Sequence, residues 1–255
     1  MPNASDEREL QTRLAAAWQR LQTADEPAAA DAAVILEAAE AGFPRAQLLA
    51  SHMALEGIGQ EMDAAAARAW LDKACAQDFA PALVQLGRFL TVEGQGQEDE
   101  LRARACFERA MALDDPETWP ALGEALAKGV LGQKHVAAGA DILRKGARDY
   151  PVCAFLLCQL IDEGKVEARE GESPFLLLLD AAEGGYPEAQ RELGGLLLLF
   201  STNEEGKMPI PGLTPQACRQ EAEAWLARAW RSGDVKAGQI LAKLEEQAQA
   251  AGQPD

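Results

Sequence analysis

The amino-acid sequence predicts an all-α solenoid of about six helix-turn-helix repeats with an N-terminal capping helix. Three observations predict it: a short junction recurring about every 36 residues, four residue columns in register with that junction, and no sustained period-two alternation bounded by hairpin turns. The junction occurs as Gly42-Phe43-Pro44-Arg45-Ala46, Asp78-Phe79-Ala80-Pro81-Ala82, Asp114-Asp115-Pro116-Glu117-Thr118, Asp149-Tyr150-Pro151-Val152-Cys153, Gly185-Tyr186-Pro187-Glu188-Ala189 and Gly233-Asp234-Val235-Lys236-Ala237. With the last residue of each as an anchor, the steps are 36, 36, 35, 36 and 48 residues. Self-similarity at a period of roughly 20–50 residues marks a unit that stacks on copies of itself.

The anchors form one column. Eight positions earlier stand Ala38, Ala74, Ala110, Ala181 and Ala229, with Gly146 in the copy whose turn is one residue short. Four positions later stand Leu86, Leu122, Leu157, Leu193 and Leu241, with Ala50 in the first copy. One further on the residues are small: Ser51, Gly87, Gly123, Cys158, Gly194 and Ala242. Small residues at fixed points let two helix axes approach to the short end of the usual ~8–10 Å, and large apolar neighbours fill the space between units.

The elements follow in order. An N-terminal helix over about Glu7 to Thr23 carries Leu10, Leu14, Trp18 and Leu21 along one side and caps the array. Asp63 precedes an alanine run as a side-chain acceptor for a first helical turn. Trp70, Leu71 and Ala74, then Leu83, Leu86 and Leu90, recur at helical spacing. Glycines punctuate the breaks at 57 and 59, 94 and 96, 129 and 132, 164, and 184–185. Ser173-Pro174 and Thr214-Pro215 are further start signals, each with proline where no amide hydrogen is needed. The last helix, over about Val235 to Ala251, turns polar after Leu244. The expected organisation is a capping helix over 1–26, a repeat solenoid over 27–251 with a long loop at 201–213, and a disordered tail at 252–255, with residues 1–6 frayed as well.

The segment Gly57-Ile58-Gly59, Asp63, Trp70, Ala74, Asp78-Phe79-Ala80-Pro81-Ala82 and Leu86-Gly87 resembles a Sel-one-like repeat, a relative of the tetratricopeptide repeat. Trp225 stands twelve residues before its anchor just as Trp70 does, and the resemblance covers roughly residues 27 to 245. The unit around Lys134 to Arg148 departs by lacking the aromatic, and the loop from Ser201 to Leu213 is about twelve residues too long. The resemblance implies a right-handed superhelix of paired helices that serves as a protein-binding scaffold.

Composition narrows the partners. Lys+Arg 24 against Asp+Glu 41 gives a formal net charge of −17. That disfavours nucleic acid, which needs a basic stripe to release counterions, and anionic membrane surfaces. It serves solubility, or a basic partner. Met1-Pro2-Asn3-Ala4-Ser5-Asp6-Glu7 is polar and acidic where a secretory signal runs basic then apolar, and the Leu-rich runs are too short to cross a bilayer, so a cytoplasmic location is expected. Five cysteines without recurring spacing do not read as a disulfide framework.

Counting argues against a metal or nucleophile site. The two histidines, His52 and His135, lie in different repeats without a Cys or His partner three or four residues away. Cys153 and Cys158 are five apart, about 140° round a helix, and all five cysteines read as small packing residues. The glutamate pairs 204–205 and 245–246 read as solvated charge, and Gly57-Ile58-Gly59 and Gly94-Gln95-Gly96 follow no strand that would make them phosphate cradles. No catalytic residue, cofactor or metal is expected.

Two apolar runs, Phe175 to Leu179 and Leu196 to Phe200, cover all sides of a helix, more than a two-layer solenoid buries. Either the 201–213 loop, with Met208, Ile210, Pro211 and Leu213, folds over the excess, or an apolar patch binds a partner or a second copy. The resulting expectation is a non-catalytic adaptor that holds a protein or peptide segment on the concave face of the solenoid, with Gln47, Gln85, Arg88, Glu124, Gln159, Arg191, Gln239, Leu198 and Phe200 as candidate contact residues. A self-associating structural protein built on the late Leu runs is the second reading. A third, implied by the resemblance to cysteine-rich relatives linked to β-lactam binding or hydrolysis, is disfavoured because those relatives pair two cysteines in every repeat.

Overall fold

The computed structural model describes residues 4–23, 29–132, 135–202 and 214–251, and every regular element among these residues is helical. The chain divides after Leu122 into two compact units. Unit 1 holds α1 (Ala4–Thr23), α2 (Ala29–Glu40), α3 (Pro44–Glu56), α4 (Ala64–Cys75), α5 (Ala80–Glu93), α6 (Gly96–Leu113) and a 3-10 turn (Pro116–Thr118). The division falls within α7 (Trp119–Ala127). Unit 2 continues with α8 (Val136–Gly146), α9 (Pro151–Asp162), α10 (Pro174–Glu183), α11 (Pro187–Ser201), α12 (Pro215–Arg231) and α13 (Val235–Ala251).

Within unit 1 each helix from α1 to α6 packs on the next in chain order, and α3 also meets α5; within unit 2 the same holds from α8 to α13. Neighbour-to-neighbour packing is what the periodic sequence requires, because one helical hairpin cannot bury its apolar face alone. Among the described residues no helix is long and apolar enough to cross a membrane.

The recurring junction is a helix stop followed directly by a helix start. Gly42, Asp78, Asp114, Gly185 and Gly233 occupy its first position and all have positive φ, from 46° to 96°. That left-handed conformation favours Gly, with Asp tolerated through its short polar side chain. The next amide then reaches back five residues to the carbonyl of the alanine column: Phe43 to Ala38 at 3.1 Å, Tyr186 to Ala181 at 3.0 Å and Asp234 to Ala229 at 3.0 Å. This is the 6→1 bond of a Schellman stop. The copy that is one residue short uses a tighter closure, Tyr150 N–H to Gly146 O at 2.8 Å. Proline then opens the following helix at α3, α5, α9 and α11, where its missing N–H costs nothing.

The columns are the helix crossings. All six anchors are buried, as are the alanines eight positions earlier. The small position has a sharper role than spacing alone suggests. A Cβ at Gly87 would stand 2.8 Å from the Phe107 ring, at Gly123 2.6 Å from Leu143, and at Gly194 2.8 Å from Leu226. The intruding residues form a fifth column that the sequence reading did not single out: Ile35, Leu71, Phe107, Leu143, Leu178 and Leu226, all buried, eleven residues before the anchor (ten in the short copy). Each glycine is thus the hole for the large residue of the next hairpin.

The pattern weakens at the last helix, where Leu241 is half-buried and Ala242 is exposed. α1 begins at Ala4, three residues before the expected start. Of the start signals, Asp63 accepts the Ala66 N–H at 2.9 Å and Thr214 accepts the Ala217 N–H at 3.2 Å. Ser173 is a correction: it precedes α10 with extended backbone but makes no side-chain capping bond, so Pro174 alone marks that start. The expectations for the loop beyond Thr202 and for the 252–255 tail lie outside the described residues.

Candidate functional site

Unit 2 carries a groove of about 690 Å3 built by the anchor-bearing helices α9, α11 and α13 together with the start of α10. α9 supplies Cys158, Gln159 and Asp162; α11 supplies Arg191, Glu192, Gly195, Leu196 and Leu199; α13 supplies Ile240. Ser173, Pro174, Phe175 and Leu178 close the α10 side. A volume of several hundred Å3, walls that are mostly apolar and a few convergent polar groups describe a binding groove.

Helix geometry explains why these residues converge. The pair Arg191 and Glu192, the pair Gly195 and Leu196, and Leu199 follow one another at steps of three or four residues along α11, so they share one face. The alternate face carries Ala189, Leu193 and Leu197 into the core. Gly195 leaves the groove floor open, since nothing lies within 4 Å of where its Cβ would stand. Leu199 is 68% exposed.

The charges are unevenly matched. Arg191 donates from Nε to Asp234 Oδ2 at 2.8 Å, and Asp234 also accepts the Ala237 N–H at 3.0 Å at the start of α13. Burial pushes the Asp234 carboxyl up, but the Ala237 N–H and the Arg191 guanidinium outweigh this and hold it below the ordinary carboxylate range. Glu192 goes the other way. Burial raises its carboxyl, Arg191 opposes the rise, and Asp162 and Glu188 add to it.

The expected contact residues separate into three groups. Gln159 and Arg191 come together in this groove. Gln85 is half-buried and Arg88 exposed on α5, and Gln239 is exposed beside Ile240. Gln47 is buried in a structural network: its Nε2 donates to Ala39 O at 3.2 Å, and its Oε1 accepts from Gln77 at 2.9 Å. Glu124 pairs with Lys128 at 2.6 Å.

The Leu runs are also resolved by position. Leu198 packs on Leu226, Ala229 and Ala237, and Phe200 packs on the core between α9 and α12. The exposed members are Leu176 and Leu199. Sequence reasoning singled out the run from Leu196 to Phe200 but chose Leu198 and Phe200 within it, and it missed Glu192 and Ile240. The signal shared by the two missed residues is the register: Glu192 and Ile240 each stand three residues after their anchors.

The cysteines are all buried and unbridged. Burial pushes the thiols of Cys75 and Cys153 up to about 12 and that of Cys158 up to about 11. The Cys158 thiol donates to the Pro174 carbonyl at 3.1 Å in the groove wall. A protonated thiol is a packing group and not a nucleophile at neutral pH. Among the described residues no three His, Cys, Asp or Glu side chains gather as a metal site.

No family model matches the chain, and no curated protein matches it. Several solved structures are similar to it. One is a protective antigen of uropathogenic Escherichia coli strains displaying an SLR fold, at 20% identity and a TM-score of 0.56; the match covers 85% of this chain but only 44% of that protein's length. A Sel1 repeat protein from Oxalobacter formigenes matches at 20% identity and a TM-score of 0.63, over 90% of this chain and 91% of that one. A sel1 repeat protein from Klebsiella pneumoniae subsp. pneumoniae matches at 22% identity and a TM-score of 0.50, over 83% and 97%. At these identities the likeness establishes the fold alone: a helical-repeat fold of the Sel1 type, as the junction residues imply.

Proposed function

We propose that this chain, built on the Sel1-type repeat fold, is a non-catalytic adaptor that holds a protein or peptide segment in the groove of unit 2. The observation that carries the reading is the groove itself: apolar side chains of α10, α11 and α13, with Leu199 exposed and Phe175, Leu196 and Ile240 half-buried, line a concavity that also collects Gln159, Glu192 and Asp162. Exposed apolar residues inside a concavity are paid for by a ligand that covers them. The pushed-up, buried thiols support a packing role for cysteine over covalent chemistry.

Panning a random peptide library displayed on phage against the full chain tests the reading. Peptides that bind the wild type and are lost on Leu199→Arg support it; that substitution sits at an exposed position, so the fold should tolerate it. An empty selection, or peptides indifferent to Leu199→Arg, rejects it. A second reading rests on Leu176 and Leu199, which expose apolar surface to a second copy. Light scattering over a concentration series separates the two, since a monomer throughout disfavours self-association.

A further inference from the structure

We infer that the groove of unit 2 takes a segment in which a lysine or arginine stands beside a large apolar side chain, the cation meeting Glu192 and Asp162 and the apolar group lying on Leu196, Leu199 and Ile240. The inference rests on the adaptor reading above and adds the chemistry of the partner.

The charge of the groove carries it. Three charged side chains line the concavity: Arg191, Glu192 and Asp162. Arg191 is engaged by Asp234 at 2.8 Å, and both members of that pair are largely shielded, with side-chain exposures of 21% and 9%. The cation of the groove is therefore neutralised from within, by a carboxylate just ahead of α13 that is itself fixed by the Ala237 N–H of the helix's first turn. Glu192 and Asp162 remain, on α11 and α9, and Glu188 lies one turn before Glu192 on the same helix. An anionic segment entering here would meet like charge. A purely apolar one would cover Glu192 and remove its water without replacing it, which is costly for a carboxylate. A segment carrying a cation replaces that water with an opposite charge.

Burial already raises the Glu192 carboxyl, with Asp162 adding to the rise, so a ligand cation relieves an unfavourable state present in the free groove. Gly195 opens the floor between Glu192 and Leu199, and Leu199 projects beside it, 68% exposed. The apolar and acidic contacts thus fall on adjacent turns of one helix. Lys and Arg suit that spacing because their aliphatic stems lie along apolar surface while the charged end reaches a carboxylate.

The net charge of −17 would attract any polycation at long range, so the test has to separate local from global charge. Peptides selected from the random library at physiological salt are sequenced, and their affinities are measured by fluorescence anisotropy against three proteins. These are the wild type, Glu192→Gln combined with Asp162→Asn, and a control in which Glu221→Gln and Glu245→Gln remove the same charge outside the groove. The expected result is enrichment of Lys or Arg within one helical turn of a large apolar residue, affinity about tenfold weaker in the groove variant, and little change in the control. Peptides that depend on Leu199 but show no basic enrichment, or that bind the groove variant as well as wild type, overturn this inference and leave the adaptor reading standing. Equal losses in both double variants also overturn it, because the attraction is then that of the whole molecule. If no peptide depends on Leu199, the adaptor reading and this inference fall together.

Discussion

Replacing Gly194 by alanine places a new Cβ 2.8 Å from Leu226 Cγ and 3.1 Å from the Ala222 carbonyl oxygen. Neither atom is the free end of a flexible side chain, so α11 and α12 must separate or Leu226 must leave its rotamer. Overpacking of this kind costs about 1–3 kcal/mol. Helix propensity opposes it, since alanine is favoured over glycine by about 0.8–1.0 kcal/mol inside a helix. The neighbouring substitution, Gly195→Ala, receives the same propensity gain with no atom within 4 Å of its Cβ. Propensity cancels between the two variants, and their difference in stability reads the packing cost alone. Gly195→Ala should stabilise by about 0.8–1.0 kcal/mol while Gly194→Ala falls below it by about 1–3 kcal/mol. For a chain of this length each kcal/mol moves the melting temperature by about 2–4 °C, so thermal unfolding followed by circular dichroism resolves the pair. Equal stabilities, or Gly194→Ala the more stable, would refute the assignment of that column as the hole for Leu226.

Further outcomes follow from single contacts. Ala74→Leu, at a fully buried crossing, should destabilise by about 1–3 kcal/mol in urea unfolding; no change would remove that column from the crossing. Gln190 repeats the position of Gln47 but its buried Oε1 lacks a partner, because Ser232 stands where Gln77 bridges Gln47 and the Gly42 carbonyl in unit 1. Ser232→Gln should therefore stabilise by about 0.5–1.5 kcal/mol, and a loss of stability would contradict the equivalence. Desolvation holds the His52 imidazole below its ordinary value of about 6.5, with Nε2 buried and unpartnered. The unfolded chain then binds a proton first as pH falls, so stability drops as pH decreases below about 6.5 toward the lowered folded value. Urea midpoints across this range should fall more steeply for wild type than for His52→Gln, and parallel curves would exclude His52 as a source of the slope.

The architecture was legible because the period is set by backbone closure and close packing, and both leave marks on residue type. A left-handed stop demands Gly or Asp at 42, 78, 114, 185 and 233, and a tight crossing demands Ala or Gly at 74, 87, 123 and 194. The groove was half legible. Gln159 and Arg191 are recognisable as polar residues left free by the packing columns, yet the same rule chose Gln47, whose amide is spent on Ala39 and Gln77. Polar type does not reveal whether a side chain satisfies its own backbone or faces outward. The Leu runs misled for a related reason: on a helix flanked by neighbours on two sides, Leu198 and Phe200 find cover and Leu199 between them does not. One residue of rotation, about 100°, decides the matter. The fifth column, with Phe107 and Leu226, was present in the sequence at constant offset but mixes Ile, Leu and Phe, so it lacks the uniform residue type that drew attention to the alanines.

On the proposed reading, the α9–α11–α13 groove is the surface this chain offers to a partner. Methyl-labelled protein titrated with a library-selected peptide tests it most directly by NMR. The expected result is shifts concentrated at Leu196, Leu199 and Ile240, with the exposed Val92 and Leu101 of unit 1 unmoved. Shifts at Val92 or Leu101 with the three groove methyls unchanged would contradict it.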